Sequence, residues 1–402
     1  MPTGFRHAKC RPNGLFPAEY AGRLTAVRTA MAKAGLDVLV VTDPSNQNWL
    51  TGYDGWSFYV HQAVVIPLER KPFWWGRRQD ANGAQRTVDP DATDIEFYLD
   101  HYVQSTVRHP MQDLAAKLRD RGLGTACVGV EMDNYYFSAK AYTSLVDALP
   151  HAKVRDATAL VNWQRAIKSP AEIEFMRRAA RISEKITNLA IDRAAPGVRK
   201  NDLAAEIMAA GIAGVDDIWG DYPAIVPLMP SGASAAAPHL TWNGEAMQTG
   251  EVTFFELSGC YRRYHVPLSR SVFLGKPPAY ILNGEAALVD GLESGLEQAR
   301  AGNRTCDIAN ALGDVMERAG IERGARCGYA IGLSYPPDWG ERTMSLRPED
   351  ETVLQPGMTF HFMPGLWMDG WGLEITESIL ITEDGPAETF CSIPRKLFIK
   401  DG

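Results

Sequence analysis

The residues between 251 and 275, EVTFFELSGCYRRYHVPLSRSVFLG, put an acid in an awkward place. The apolar run of Val252, Phe254 and Phe255 ends in Glu256. A carboxylate directly after an apolar β-run is costly unless it has a partner or a chemical task. Partial desolvation there sharpens it as a hydrogen-bond acceptor for a cation or as a nucleophile. The stretch is predicted to form two strands, with a bend at Ser258 and Gly259 and a second strand through residues 269–273. Just before it, residues 218–250 are rich in Gly, Pro and Ala and show little periodicity. A segment of that length in a compact domain is expected to be a functional loop. It carries His239, whose side chain has an intrinsic pKa suited to general-base work. Its polar, Pro-rich surroundings favour that role over a core histidine.

The elements that must position these two groups fall into two sets. Residues 17–35 have the apolar spacing of a helix, through Tyr20, Leu24, Val27 and Met31, with Gly35 as its cap. LDVLVVTD is predicted as a buried strand of the parallel type, followed by a short turn of helix, further strands at HQAVVIP and PFWWGRR, a helix over 110–123, a strand at CVGVEMD and a helix at SAKAYTSLVDALP. This alternation indicates an α/β domain over residues 1–162. A long helix is then expected to start at Ser169, where Ser169 and Glu172 form a capping box and Pro170 takes the first helical position. A second domain is placed over 163–402. It should hold helices over 199–211, 278–300 and 306–319, and strands at 328–334, 358–367 and 371–382.

Composition narrows the function. The chain has 402 residues, 45% hydrophobic and 22% charged, with a net charge of −8. That profile fits a soluble globular protein and argues against nucleic acid as a main partner. Its six cysteines, Cys10, Cys127, Cys260, Cys306, Cys327 and Cys391, include no CxxC pair and fit no zinc-finger spacing, so free thiols in a reducing compartment are expected. The N-terminal MPTGFRHAKCRPNG lacks the apolar core of a signal peptide, and no apolar run approaches membrane-spanning length. A cytoplasmic location is the expectation.

Longer motifs carry a family resemblance. RAIKSPAEIEFMRRAA, LSRSVFLG, PGMTFHFMPG and GLEITESILIT are similar to the signature segments of the creatinase, prolidase and methionine aminopeptidase family. The resemblance spans the whole chain. It implies a mixed α/β (α+β) architecture, with a pita-bread C-terminal catalytic domain preceded by a smaller creatinase-like α/β N-terminal domain, in a homodimer. Most of that family binds two metal ions through five side chains. Those positions fall here on Glu256, Pro267, Tyr329, Met363 and Thr376, with Glu377 beside the last. Proline offers no ligand and methionine is too soft for hard divalent ions. No metal and no cofactor are therefore expected. A metal-dependent peptidase or lyase relative, or a non-catalytic binding module, are the alternatives.

Creatinase-type members of the family open a planar C–N cation without a metal, using a loop histidine that corresponds to His239. Segments such as VTDPSNQNWLTGYDGWSFYVHQ, MDNYYFSAKAY, AAPHLTW and ARCGYAIGLSYPPDWGERTMSLRP resemble a branch that hydrolyses a small cyclic amidine bearing a carboxylate. Such a cation wants a carboxylate in its plane and aromatic faces around it. The resemblance implies Glu256 and His239 as catalytic residues. Tyr329, Trp339, Arg342, Tyr53, Trp56, Trp163 and Glu377 are expected to bind substrate, with Tyr329 donating to the tetrahedral centre. Arg342, or else Arg326, would take the substrate carboxylate. Tyr53 and Trp56 would lie on a loop able to reach a partner subunit's site.

Overall fold

A computed structural model describes residues 17–402. Cys10 and the N-terminal segment around it lie outside the described residues. The chain divides into two compact units, one ending at Arg165 and one spanning Ala166–Gly402.

In the first unit α1 (Pro17–Ala34) leads into β1 (Val38–Val41) and α2 (Pro44–Thr51). There follow β2 (Ala63–Pro67), β3 (Phe73–Arg77), α3 (Ala81–Thr87), β4 (Asp94–Tyr98), α4 (Pro110–Asp120), β5 (Cys127–Val130), α5 (Ala139–Ala148), β6 (Lys153–Asp156) and α6 (Leu160–Gln164). The strands form one six-stranded sheet in the order β4-β3-β2-β1-β5-β6. β1 was expected to be a parallel strand. It is parallel to β5 but antiparallel to β2, so the sheet is mixed. The short loops from β1 to α2 and from β5 to α5 meet at Glu131, whose buried carboxylate accepts from the Thr42 and Asp43 N–H groups and from Asn46. Helix α3 and strand β4 were missed, because ANGAQRT is short and mostly polar and DIEFY is short and largely unburied. Only Ala81, Ala84 and Tyr98 among their residues are buried.

The second unit opens as the sequence demanded. The Ser169 hydroxyl accepts from the Glu172 N–H and Glu172 returns a bond to Ser169, starting α7 (Pro170–Arg193). Such a cap is worth about 1 kcal/mol. α8 (Lys200–Ala213) follows, then a 3-10 helix (Gly232–Ala236), the hairpin β7 (Val252–Tyr261) and β8 (Tyr264–Leu274), α9 (Ala279–Gln298) and α10 (Thr305–Arg318). The remaining strands are β9 (Gly328–Ile331), β10 (Gly340–Ser345), β11 (Thr359–Phe362), β12 (Gly365–Met368), β13 (Trp371–Glu374), β14 (Glu377–Leu380), β15 (Glu388–Thr389) and β16 (Phe398–Lys400). They form a five-stranded sheet, β10-β9-β11-β14-β15, a three-stranded sheet, β16-β8-β7, and the small β12-β13 hairpin. Phe254, Phe360, Phe362, Leu288, Leu292 and Leu312 share one core that joins sheets and helices.

The expected bend at Ser258 and Gly259 is absent. β7 runs straight through both residues, paired with Pro267 and Val266. Gly259 serves a close approach instead: a Cβ there would lie 2.2 Å from the Ala179 carbonyl oxygen of α7. Its N–H donates to the Ser183 hydroxyl at 2.8 Å. The turn falls at Arg262 and Arg263, both at positive φ, 50° and 68°. Two of the expected strands are also split. Residues 358–367 break at Met363 and Pro364 into β11 and β12, and 371–382 break at Ile375 and Thr376 into β13 and β14. Each break lets the chain leave one sheet for another, and both lie beside the candidate site.

Candidate active site

Glu256 sits at the middle of β7, opposite Ser269 on β8. Its backbone also bridges Leu228, with N–H to O at 2.9 Å, so the loop that leads to His239 is fastened alongside it. Both faces of β7 are buried, which explains why an apolar run continues on each side of the acid. The segment after β13 runs along β8 and is stitched to it. The Ser271 hydroxyl accepts from the Glu374 N–H and donates to the Glu374 carbonyl, both at 3.0 Å. The Ser269 N–H donates to Thr376 Oγ1 at 2.8 Å, and Ser378 Oγ donates to the Pro267 carbonyl at 2.6 Å. Three hydroxyls thus set the position of Glu374 and Thr376 relative to Glu256.

The opposite wall comes from β9 and β11. Tyr329 and His361 are register partners. Tyr329 Oη lies 3.1 Å from His361 Nδ1, and His361 Nε2 lies 2.9 Å from Thr376 Oγ1. Trp339 Nε1–H donates to Tyr329 Oη at 2.7 Å. His361 Nδ1 is 4.0 Å from Glu256 Oε1. Glu256, Tyr329, Trp339, His361 and Thr376 therefore form one contiguous group, with Glu374 as its electrostatic neighbour.

The charges in this group are out of balance. Burial, and then the neighbouring Glu374, push the Glu256 pKa well above the usual carboxylate range. Burial lifts Glu374 to about 7, against the opposing pull of the Ser269 hydroxyl and the Arg323 guanidinium. No described group meets either carboxyl oxygen of Glu374 in full hydrogen-bonding geometry. Burial lowers His361 to about 3, so the imidazole is neutral. Burial and the Glu256 charge together raise Tyr329, which stays a phenol. Burial and like charge thus favour the protonated form of both carboxyls. Arg323 is the cation that acts on Glu374, and none acts on Glu256.

The other expected residues are placed as follows. His239 is exposed in the turn after the 3-10 helix and makes no hydrogen bond or ion pair with a described residue. That helix is anchored on both carboxylate strands: Ser231 and Thr253 join their hydroxyls at 2.7 Å, and a Cβ on Gly372 would lie 2.0 Å from the Ala235 carbonyl. Trp339 is fully buried, with its N–H used by Tyr329. Arg342 is exposed at φ 55°, where the pairing of β10 with β9 is irregular. Arg326 stacks 4.6 Å from the Tyr329 ring centre. Glu377 faces away from the group. Adjacent residues of an extended chain point to opposite sides, so with Thr376 on His361, Glu377 meets Arg270 at 2.6 Å and Arg395 at 3.2 Å. In the first unit, Tyr53 is buried with its hydroxyl donating to Gln62 at 2.9 Å, while Trp56 and Trp163 are 58% and 45% exposed. Sequence reasoning gave Glu374 and His361 no catalytic or substrate-binding role and weighed them only as residues that could in principle hold one ion, although GLEIT and TFHF each place a polar residue among buried apolar ones.

Residues 174–383 match the model of metallopeptidase family M24, and residues 23–167 match the creatinase/prolidase N-terminal domain. The chain belongs to the M24 family, in its creatinase-like two-domain form, and has the pita-bread fold. Among its relatives, the ectoine hydrolase of Halomonas elongata is 60% identical over 389 residues, 95% of this chain and 97% of that enzyme. The creatinase of a Bacillus species is 23% identical, over 94% of this chain and 91% of that one. A crystal structure of dipeptidase PepE from Mycobacterium ulcerans superposes with a TM-score of 0.81 at 24% identity, covering 97% of this chain and all of that one, which supports the fold.

The family name implies a metal centre, and the residues here do not fit one. By the family resemblance, two of the ligand positions fall on Pro267 and Met363, which offer no hard-ion donor. Thr376 and Tyr329 are bonded to His361. Among the described residues no three His, Cys, Asp or Glu side chains come together as a metal-holding group.

Proposed function

We propose that this protein is an ectoine hydrolase that opens the cyclic amidine without a metal. One observation carries the reading. Glu256 and Glu374 form a buried carboxyl pair with no cation acting on Glu256, in a site where, by the family resemblance, Pro267 and Met363 take two of the five ligand positions. A planar amidinium supplies that charge, with N–H groups for both acids. The similarity to the Halomonas enzyme supports the same substrate.

In this mechanism Glu256 contacts the ring directly and Glu374 shares the amidinium charge. His239, on the loop anchored over both carboxylate strands, takes a proton from water. The water oxygen adds to the carbon between the two nitrogens. Tyr329 donates a hydrogen bond to that oxygen. His239 then returns its proton to the leaving nitrogen as the C–N bond breaks. Charge balances: amidinium and water give an amide and an ammonium. The product is N-acetyl-2,4-diaminobutyrate, with the acetyl group on the nitrogen whose bond to the amidine carbon is retained. The exposed Arg342, with Arg326 stacked on Tyr329, is assigned to the substrate carboxylate. Trp339 acts through Tyr329. Tyr53, Trp56 and Trp163 are assigned to substrate enclosure in a cytoplasmic homodimer, following the family resemblance. For Glu377 the proposal is a supporting role through Arg270.

The test is incubation of chelator-dialysed protein with ectoine, followed by mass detection. A product heavier by one water, formed at a rate that chelator leaves unchanged, is expected. No product from folded protein, or turnover that requires added divalent metal, overturns the reading.

A further inference from the structure

The hydrogen-bonded group behind Glu256 can be analysed by counting protons. At one end the Trp339 indole N–H donates to Tyr329 Oη. At the other the Ser269 backbone N–H donates to Thr376 Oγ1. Neither donor can reverse its direction. Between the two hydroxyls stands His361, whose neutral ring carries a single proton.

Two arrangements satisfy the distances. With the proton on Nε2, the ring donates to Thr376 and Tyr329 gives its own proton to Nδ1. Thr376 Oγ1 then accepts twice, and its hydroxyl proton has no acceptor. With the proton on Nδ1, the ring donates to Tyr329 and Thr376 donates to Nε2. Thr376 then gives one bond and receives one, and the unmatched proton lies on Tyr329. The two hydroxyls differ in surroundings: Thr376 is 0% exposed and Tyr329 is 9% exposed, beside Glu256. An unmade hydrogen bond in a closed interior costs about 1–3 kcal/mol. The second arrangement places that proton where a substrate can meet it.

We infer that Thr376 holds His361 as its Nδ1–H tautomer, and that the network thereby makes Tyr329 a dedicated hydrogen-bond donor into the site. Two N–H groups occupy the phenol oxygen, so its proton has no competing acceptor behind it. A hydroxyl that accepts two hydrogen bonds is also a stronger donor. His361 and Thr376 are then positioning residues that act through Tyr329. The catalytic part of this inference rests on the hydrolysis proposed above. The tautomer does not.

Nitrogen-15 spectra of histidine-labelled protein at neutral pH separate the two. The His361 signals are assigned by their loss in His361→Gln and by their displacement in Tyr329→Phe. A protonated Nδ1 and a bare Nε2 are expected in the wild-type protein. A protonated Nε2 overturns the inference, whatever the protein does to ectoine. In kinetics, Thr376→Val is expected to lower kcat about 10- to 100-fold with KM within about twofold, and Thr376→Ser to stay near wild type. A loss confined to KM, or failure of serine to restore kcat, overturns the positioning role while leaving the substrate assignment intact.

Discussion

Glu256 Oε1 lies 4.0 Å from His361 Nδ1, yet the contact is not an ion pair, because burial keeps the imidazole neutral. The remaining charged neighbour of Glu256 is Glu374, of like sign. The pair therefore keeps a proton that an arriving amidinium must expel. Calorimetric titration with ectoine at about pH 6, in two buffers of different ionisation enthalpy, is expected to show release of at least one proton. The release should fall as pH rises through about 7, where Glu374 ionises in the free protein, and the remainder should persist because Glu256 titrates higher. Affinity should rise with pH through the same window. A binding enthalpy independent of buffer would mean that both carboxyls are ionised beforehand.

Stability should move the other way. A glutamate in the unfolded chain titrates near about 4.3, while Glu374 in the folded chain titrates at about 7. Between those values the folded state binds the extra proton, so stability is lost as pH rises from one to the other. Glu374→Gln removes this penalty and should be the more stable protein at about pH 8, by up to about 3 kcal/mol. Urea unfolding of both proteins across the window checks it. A wild-type curve that gains stability toward neutral pH and loses none in the variant would show that burial does not raise Glu374.

Glu256→Gln keeps the size of the side chain and removes its charge. If Glu256 holds the reacting ring, turnover should fall about 1,000-fold or more. The thermal midpoint should stay or rise, because a buried charge without a cation has been removed. Thermal melts alongside single-turnover assays test this. Near-native rates would make Glu256 a structural acid only.

Much of this was legible in the sequence because its signals are local. The capping box at Ser169 and the apolar run before Glu256 each depend on a few adjacent residues. What escaped depends on pairing across the chain. Gly259 looked like a bend because glycine weakens a strand, but the approach of α7 to β7 needs a residue with no Cβ. Glu377 looked as close to the site as Thr376, and only the alternation of an extended segment stitched to β8 sends it to Arg270. His361 gave a polar residue between two phenylalanines. Its importance comes from partners at 329 and 376, which no spacing rule connects.

Glu377 gives a contrast to the acids of the site. Its Oε1 accepts from Arg270, a guanidinium with no exposure that also donates to the carbonyls of Ser269, Thr376, Ile393 and Pro394. Glu377→Gln would leave that buried cation with one weaker partner. Breaking one side of a buried pair costs about 3–5 kcal/mol when the charge is left alone, and the four carbonyls should hold the loss below that. The expected result is lower stability by urea unfolding with KM for ectoine little changed. A large rise in KM at unchanged stability would move Glu377 into contact with substrate.

The position of His239 depends on a contact that carries no charge. Gly372 of β13 lies so close to Ala235 that a Cβ would stand 2.0 Å from its carbonyl oxygen. The atom in the way is backbone, so the 3-10 helix has to shift if residue 372 gains a side chain. Gly372→Ala should then lift that helix off β13 and displace the loop that carries His239, while the Glu256 and Tyr329 strands stay where they are. Turnover is expected to fall about 10- to 100-fold, because misplacing a base by about an ångström is enough to do so. Folding should be affected less, since the strain can relax outward at the exposed turn. The loss should also be partly reversed by imidazole added to the assay, which can act in place of a displaced base. Rates that stay near wild type in Gly372→Ala would take His239 out of the mechanism or free its loop from β13, and a His239→Ala variant that kept full activity would decide for the former.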